Sequence, residues 1–387
     1  MFTRTLTPHL LRLAQNFPVL AITGPRQSGK TTLAKMIFPD KPYISLEDPI
    51  QHAFATEDPR GFLARYASGA VFDEAQRWPE LFSYLQGIVD ADRHPGRYVL
   101  TGSQQFGLLA GVTQSLAGRV AMAQLLPLSL TELPQVFRGE IQLDALMLMG
   151  CYPILHAQEM SWQDWLASYV MTYVERDVRQ VLKVQNLTTF QRFLRLCAGR
   201  TGQLLNLHAL ASEAGISHTT AGAWLSVLES SYLVYLLPPY YRNFGKRLVK
   251  TPKLYFLDVG LACWLLGIRS PEMLAFHPLR GALFETLIVS EFIKARYHTS
   301  QPADLYFWRD NNGLEADLVF EQTGKLQPIE IKSGQTVTAD YIRAAQKTAR
   351  FSDQEETHSP WLIYGGEESY ERSGVHVKSW RSPFTNA

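Results

Sequence analysis

Eight consecutive residues, Gly24-Pro25-Arg26-Gln27-Ser28-Gly29-Lys30-Thr31, have the types and spacing of a phosphate-binding loop. The apolar run Val19-Leu20-Ala21-Ile22 precedes them and Thr32-Leu33-Ala34-Lys35-Met36 follows. The glycines let the backbone turn its N–H groups toward phosphate, and the positive end of the next helix adds to the attraction. Residues 24–32 are therefore expected to hold a nucleoside triphosphate, with Lys30 reaching the β- and γ-phosphates and the Thr31 hydroxyl holding Mg²⁺. A short apolar run ending in two acids, Ala70-Val71-Phe72-Asp73-Glu74, would place Asp73 to support Mg²⁺ through water and Glu74 to polarise the attacking water. A third run, Tyr98-Val99-Leu100-Thr101, leads into Gly102-Ser103-Gln104, which puts Ser103 where a γ-phosphate sensor would sit.

A second constellation lies in the last third of the chain. Leu314-Glu315-Ala316-Asp317-Leu318-Val319-Phe320 is followed by a turn at Thr323-Gly324-Lys325 and then by Ile329-Glu330-Ile331-Lys332. Residues two apart on a strand share a face, so Glu330 and Lys332 point one way while Ile329 and Ile331 pack behind them. Asp317 ends the paired strand, and Glu285 lies on an amphipathic helix upstream. The order resembles the PD-(D/E)xK nuclease fold, although Ala316 stands where that name has proline. The resemblance implies a Mg²⁺ site at Asp317 and Glu330, a Lys332 that orients or deprotonates water, and Glu285 as the helix acid. The alternative is a retained scaffold that binds DNA or stabilises an oligomer, with Glu330 and Lys332 as an ion pair.

The elements needed to position these groups are readable in outline. Strand-like runs at Val19–Thr23, Tyr43–Leu46, Ala70–Phe72, Tyr98–Thr101 and Ala121–Leu126 alternate with helical patterns, which predicts a parallel sheet covered on both faces, with ATP at the carboxyl ends of its strands. Trp162, Trp165, Leu166, Tyr169, Val170 and Tyr173 form an apolar helical stripe. Residues 204–237 read as a winged helix-turn-helix: a helix from Leu207 to Glu213, a turn at Ala214-Gly215-Ile216, Ser217 as N-cap, and a helix Thr219–Ser230 with Ala221, Trp224, Leu225 and Leu228 inward. That second helix lacks Arg and Lys, which argues against sequence-specific reading of a major groove. The basic, aromatic stretch from Tyr240 to Lys253 fits phosphate and base contacts, or a solvated connector.

The chain has 387 residues, 46% of them hydrophobic, and a net charge of +1. That length suggests two or three domains, and the charge excludes a globally basic nucleic-acid binder. Cys151, Cys197 and Cys263 are far apart and without metal-ligand spacing, as expected of reduced core thiols. No membrane span or export signal is expected, and the cytoplasm is the expected location.

Taken with the elements Phe72-Asp73-Glu74-Ala75-Gln76, Leu100-Thr101-Gly102-Ser103 and Gly118-Arg119, the chain resembles, over nearly its whole length, a prokaryotic family that joins an AAA-type ATPase domain to a C-terminal DUF4143 region. The resemblance implies an α/β fold with a P-loop NTPase (AAA-type) parallel-sheet domain at 1–140, a helical linker at 141–200, a winged helix at 201–245 and a restriction-endonuclease-like α/β domain at 246–387. It implies ATP and Mg²⁺ as cofactors, ATP hydrolysis, DNA as partner, a homo-oligomeric ring, and Arg119 as a γ-phosphate contact within a subunit or across an interface. Two other readings stay open: an ATP-driven switch that binds a protein partner, and an active metal-dependent DNA nuclease.

Overall fold

Every residue of Val19–Thr23 (β1) is buried, as a strand with both faces covered requires. Val19 and Ala21 pack on one side with Phe62, Trp78 and Leu85, and Leu20 and Ile22 on the other with Leu10, Leu33 and Val71. The computed structural model describes residues 2–103, 115–174, 187–240, 251–310, 313–349 and 356–384. The expected contacts of residues 241–250, and Gln104, lie outside them.

Two compact units are present. The first comprises Met1–Leu128, Ser230–Tyr232 and Tyr297–Pro302, and the second comprises the remainder. In the first, β1, β2 (Tyr43–Ser45), β3 (Ala70–Asp73), β4 (Tyr98–Gly102) and β5 (Val120–Gln124) form a sheet in the order β2-β3-β4-β1-β5. All four pairings are parallel, which is the P-loop NTPase-like α/β arrangement. Helices α1 (Thr7–Ala14), α2 (Lys30–Ile37), α3 (Pro49–Glu57), α4 (Pro59–Ala64) and α5 (Leu81–Ala91) complete it. Asp48 and Asp58 cap α3 and α4, each followed by proline at the first helical position. The ring of Phe62 meets Phe54, Tyr66, Phe72 and Trp78 at centroid distances of 5.3 to 6.1 Å. Each such buried side chain contributes about 1.5–3 kcal/mol.

The second unit begins with short helices α6 (Pro134–Phe137), α7 (Leu143–Met149), α8 (Pro153–Ala157) and α9 (Trp162–Tyr169), then α10 (Leu187–Ala198). Trp165 and Tyr169 of the predicted stripe stack on each other and meet the ring of Tyr152 at a tilt, and the Tyr152 hydroxyl donates to that of Tyr169. Next come β6 (Gln203–Leu204), α11 (Leu207–Ala214), α12 (His218–Ser230), β7 (Val234–Leu237) and β8 (Lys253–Phe256). Ser217 accepts from the Thr220 N–H as the expected cap, and Ala221, Trp224, Leu225 and Leu228 are buried. The strands form an antiparallel sheet in the order β6-β8-β7. Because β8 is its central strand, the expected boundary at 245/246 cuts through this sheet, and β8 belongs with the preceding elements.

After α13 (Val259–Leu265) and α14 (Pro271–Ala275) comes the long α15 (Arg280–His298). It is followed by β9 (Tyr306–Arg309), β10 (Glu315–Gln322), β11 (Lys325–Lys332), α16 (Ala339–Thr348), β12 (Trp361–Tyr364), β13 (Tyr370–Arg372) and β14 (Val375–Ser379). Their six-stranded sheet runs β13-β14-β12-β11-β10-β9. The β10–β11 hairpin turns on Thr323 and Gly324, both at positive φ, the two-residue geometry that suits the twist of antiparallel strands. Asp258 caps α13 through the Leu261 N–H and also accepts from the Cys151 N–H. The three cysteines are free and buried. Among the described residues, no helix is long and apolar enough to cross a membrane.

Candidate nucleotide site and a second carboxylate cluster

The loop between β1 and α2 is held in an open turn by its backbone. Gly24 has φ 149°, and an added Cβ would lie 2.1 Å from the Leu125 carbonyl oxygen. Arg4, itself buried, donates to the carbonyls of Ser28 and Leu126 at 2.7 Å each and ties the loop to the sheet edge. Gly24→Ala is therefore expected to cost about 2 kcal/mol or more, from steric conflict and disfavoured φ together. Chemical denaturation would register this as a lower midpoint; an unchanged midpoint with unchanged nucleotide affinity would refute the tight approach.

The loop fits a phosphate. The Ser28 hydroxyl is buried and has no hydrogen-bond partner, an orphaned donor at the position where the loop cradles phosphate oxygens. Lys30, the first residue of α2, is 6% exposed and donates to the carbonyls of Gly24 and Pro25 at 3.0 and 2.7 Å. Pro25 is buried, Gln27 takes the left-handed region at φ 63°, Arg26 lies 4.0 Å from Glu47, and Thr32 is exposed on α2.

The carboxyl ends of β3 and β4 bring the remaining groups to the loop. Thr31 donates to Asp73 at 3.0 Å, Tyr43 does so at 2.5 Å, and Thr101 on β4 makes a short bond to the same carboxylate. Burial and the neighbouring Asp73 push the Tyr43 phenol well above its ordinary value, so it stays a donor. Glu74 sits at φ 55° and accepts from Ser103 at 3.1 Å and from Gln76. Tyr43, Gln76 and Thr101 were not singled out in the sequence. Thr101 lay inside the run that was quoted, and its alternation with buried apolar neighbours was the available signal.

Arg119 does not join this group. It immediately precedes β5, its carbonyl accepts from the Val19 N–H at the start of β1, and its guanidinium grips Asp90 at 2.5 and 2.8 Å. That is the amino edge of a parallel sheet whose carboxyl edge carries the loop, about 13 Å away at ~3.3 Å per residue. The expected contact of Arg119 with phosphate held by its own subunit is corrected accordingly.

The second constellation also converges. On the hairpin register Asp317 falls opposite Glu330, and Ile329 and Ile331 are buried behind. Lys332 contacts Glu330 at 2.5 Å and Asp317 at 3.9 Å, while the Ile331 N–H donates to Asp317 at 2.8 Å. Glu285 on α15 accepts from Tyr255 at 2.5 Å and from Lys253 at 3.0 Å. Lys253 also pairs with Glu315 and lies 4.0 Å from Asp317. Burial pushes the carboxyl groups of Glu285 and Glu330 up to about 7, helped by the charge of Asp317 and opposed by Lys253 and Lys332 respectively. Burial disfavours the Lys253 ammonium, yet Tyr255 and the carboxylates of Glu285, Asp317 and Glu315 hold its pKa well above the ordinary value. A cleft of about 830 Å³ opens beside the cluster, lined by the acids Asp310, Glu315, Glu330 and Asp340 and by Arg343 and Lys347 of α16, with Arg343 paired to Asp340.

This donor set does not fit a divalent metal. An ammonium occupies the space between the carboxylates, and among the described residues no group of three or more His, Cys, Asp or Glu could hold a metal ion. The expectation that Asp317 and Glu330 hold Mg²⁺ is corrected on that ground. Lys253, Tyr255 and Glu315 were missed as members of the cluster. The signal was a lysine in the apolar strand Lys253-Leu254-Tyr255-Phe256, since a buried lysine requires acidic partners.

Three family models match successive parts of the chain: an AAA domain at residues 16–134, a domain of unknown function (DUF8612) at 140–272, and another (DUF4143) at 280–382. Two curated proteins, both described as uncharacterized and from Mycobacterium tuberculosis (strain H37Rv) and Mycobacterium bovis, are each 32% identical over 337 residues, covering 86% of this chain and 74% of theirs. Among solved structures, a Walker-type ATPase of Pyrococcus abyssi is 17% identical, with 67% of this chain and 94% of that chain covered and a TM-score of 0.46. With the curated relatives, the AAA and DUF4143 matches and the parallel sheet all in agreement, the chain belongs to the family of AAA-type ATPases with a C-terminal DUF4143 domain.

Proposed function

We propose that this protein hydrolyses ATP with Mg²⁺ and acts on DNA without reading its sequence. The observation that carries the ATPase reading is the gathering of Lys30, Thr31, Asp73 and Glu74 at the carboxyl edge of one parallel sheet. Lys30 would exchange its two loop carbonyls for the β- and γ-phosphate oxygens. Thr31 and Asp73, already 3.0 Å apart, would hold Mg²⁺, which when bound neutralises charge on the phosphate oxygens. Glu74 would polarise the attacking water, and Ser103, bonded to Glu74, would report the state of the γ-phosphate. Arg119 would act only across an interface between copies.

The DNA reading rests on two folds. The order α10-β6-α11-α12-β7-β8 with sheet β6-β8-β7 supports a winged helix. The exposed positions of α12 include His218, Thr219, Ala223 and Ser226, with no Arg or Lys to read base edges. The order α15-β9-β10-β11-α16-β12, with β10–β11 antiparallel and β11–β12 parallel, supports a nuclease-like scaffold. Steady-state turnover with Mg²⁺, alone and with single-stranded, duplex or branched DNA, is expected to rise several-fold with one of these forms. Turnover indifferent to all three would remove DNA from the reading and leave a protein-responsive switch.

A further inference from the structure

Lys253 occupies the centre of the carboxylate cluster, and it is fixed there by its strand. It opens β8, where it pairs with Leu204 on one side and Leu237 on the other, so its backbone is held between two neighbours. Its side chain is 4% exposed and ends 3.0 Å from Glu285, in contact with Glu315, and 4.0 Å from Asp317. Tyr255, two residues on and therefore on the same strand face, binds the same Glu285 oxygen at 2.5 Å. Lys332 takes Glu330, and the Ile331 N–H takes Asp317. At least one oxygen of each of these carboxylates is thus engaged by an ammonium, phenol or amide hydrogen.

Resting on the nuclease-like reading of this domain, we infer that Lys253 is the resident cation of the cluster, so that the domain neither binds a divalent metal there nor cuts nucleic acid. A buried ammonium is stable only where carboxylates replace its hydration. A divalent ion asks for the same carboxylates at about 2.0–2.6 Å, and the two cannot share the position.

The test is a Mn²⁺ titration of the full chain without nucleotide, with free Mn²⁺ read by electron paramagnetic resonance. Wild type and Asp317→Asn are expected to bind Mn²⁺ identically. Lys253→Met is expected to gain one site at least tenfold tighter than any that Asp317 supports in wild type, and Lys253→Met/Asp317→Asn to lose it. Wild-type binding that weakens tenfold in Asp317→Asn overturns the inference, as does a folded Lys253→Met chain that gains no site. Should Lys253→Met not fold, the wild type against Asp317→Asn decides alone. Nicking of supercoiled DNA by wild type in Mn²⁺, abolished by Asp317→Asn, also overturns it. Retention on immobilised duplex DNA is measured in parallel: its absence, with the metal results as expected, sinks the DNA reading and leaves Lys253 as the resident cation.

Discussion

Lys30→Ala is expected to abolish nucleotide retention while the chain keeps its fold. In the structure the ammonium donates to two carbonyls of its own loop, those of Gly24 and Pro25. Its removal leaves these two carbonyls without that donor, a loss of about 1.5–3 kcal/mol per bond to a charged group, offset by no longer burying the ammonium. The phosphate loses far more, because charge-assisted bonds to an anion in a partly dry site are roughly twice as strong as neutral ones and add specificity of position. Equilibrium binding of a fluorescent ATP analogue, read beside circular dichroism and the thermal midpoint, separates the two effects. An affinity unchanged within twofold in a folded variant would end the assignment of the loop.

How much of this was legible in the chain depends on the kind of contact. β1 was readable residue for residue, since a strand buried on both faces must be a continuous apolar run, and Val19–Thr23 is one. The loop was equally plain, because backbone turns toward phosphate need glycine and a helix start at a fixed spacing. Asp73 was visible as an acid at a strand end, but its three hydroxyl donors were not: Tyr43, Thr31 and Thr101 come from three elements whose adjacency is a product of strand order. The within-subunit option for Arg119 was not separable from the interface option for the same reason. A residue just before a parallel strand lies at the amino edge, and only the pairing of β5 beside β1 turns that into a distance from the loop.

The carboxylate cluster shows the limit more sharply. Alternation on β11 placed Glu330 and Lys332 on one face, which needs only the two-residue period of a strand. Lys253 is 32 residues from Glu285 and 64 from Asp317, and nothing in local spacing links them. The order of acids matched a metal-dependent scaffold, while the residue that changes its chemistry sits on another sheet. A lysine in an apolar strand said that an acid was nearby without saying which.

Glu74→Gln is expected to leave ATP binding intact and to lower turnover by on the order of 10²–10⁴-fold, the usual worth of a positioned proton acceptor. The substitution keeps the shape of the side chain and both neighbours, Ser103 and Gln76, so the change is confined to the charge and basicity of one group. The backbone supplies an independent argument that the position serves chemistry. Glu74 holds φ 55°, a conformation that costs a non-glycine residue about 1–2 kcal/mol, whereas the added unfolded-state freedom of glycine costs about 0.5–1 kcal/mol. On backbone conformation alone glycine would serve here as well as glutamate or better, but Glu74→Gly also strips Ser103 and Gln76 of their acceptor, and it should share the lost turnover. Such a strained side chain is kept where surrounding groups hold it to a task, and here Ser103 and Gln76 aim its carboxylate along the edge that carries Lys30 and Thr31. Single-turnover hydrolysis of prebound ATP is the decisive measurement. Unchanged chemistry in Glu74→Gln would take the general-base role from this residue.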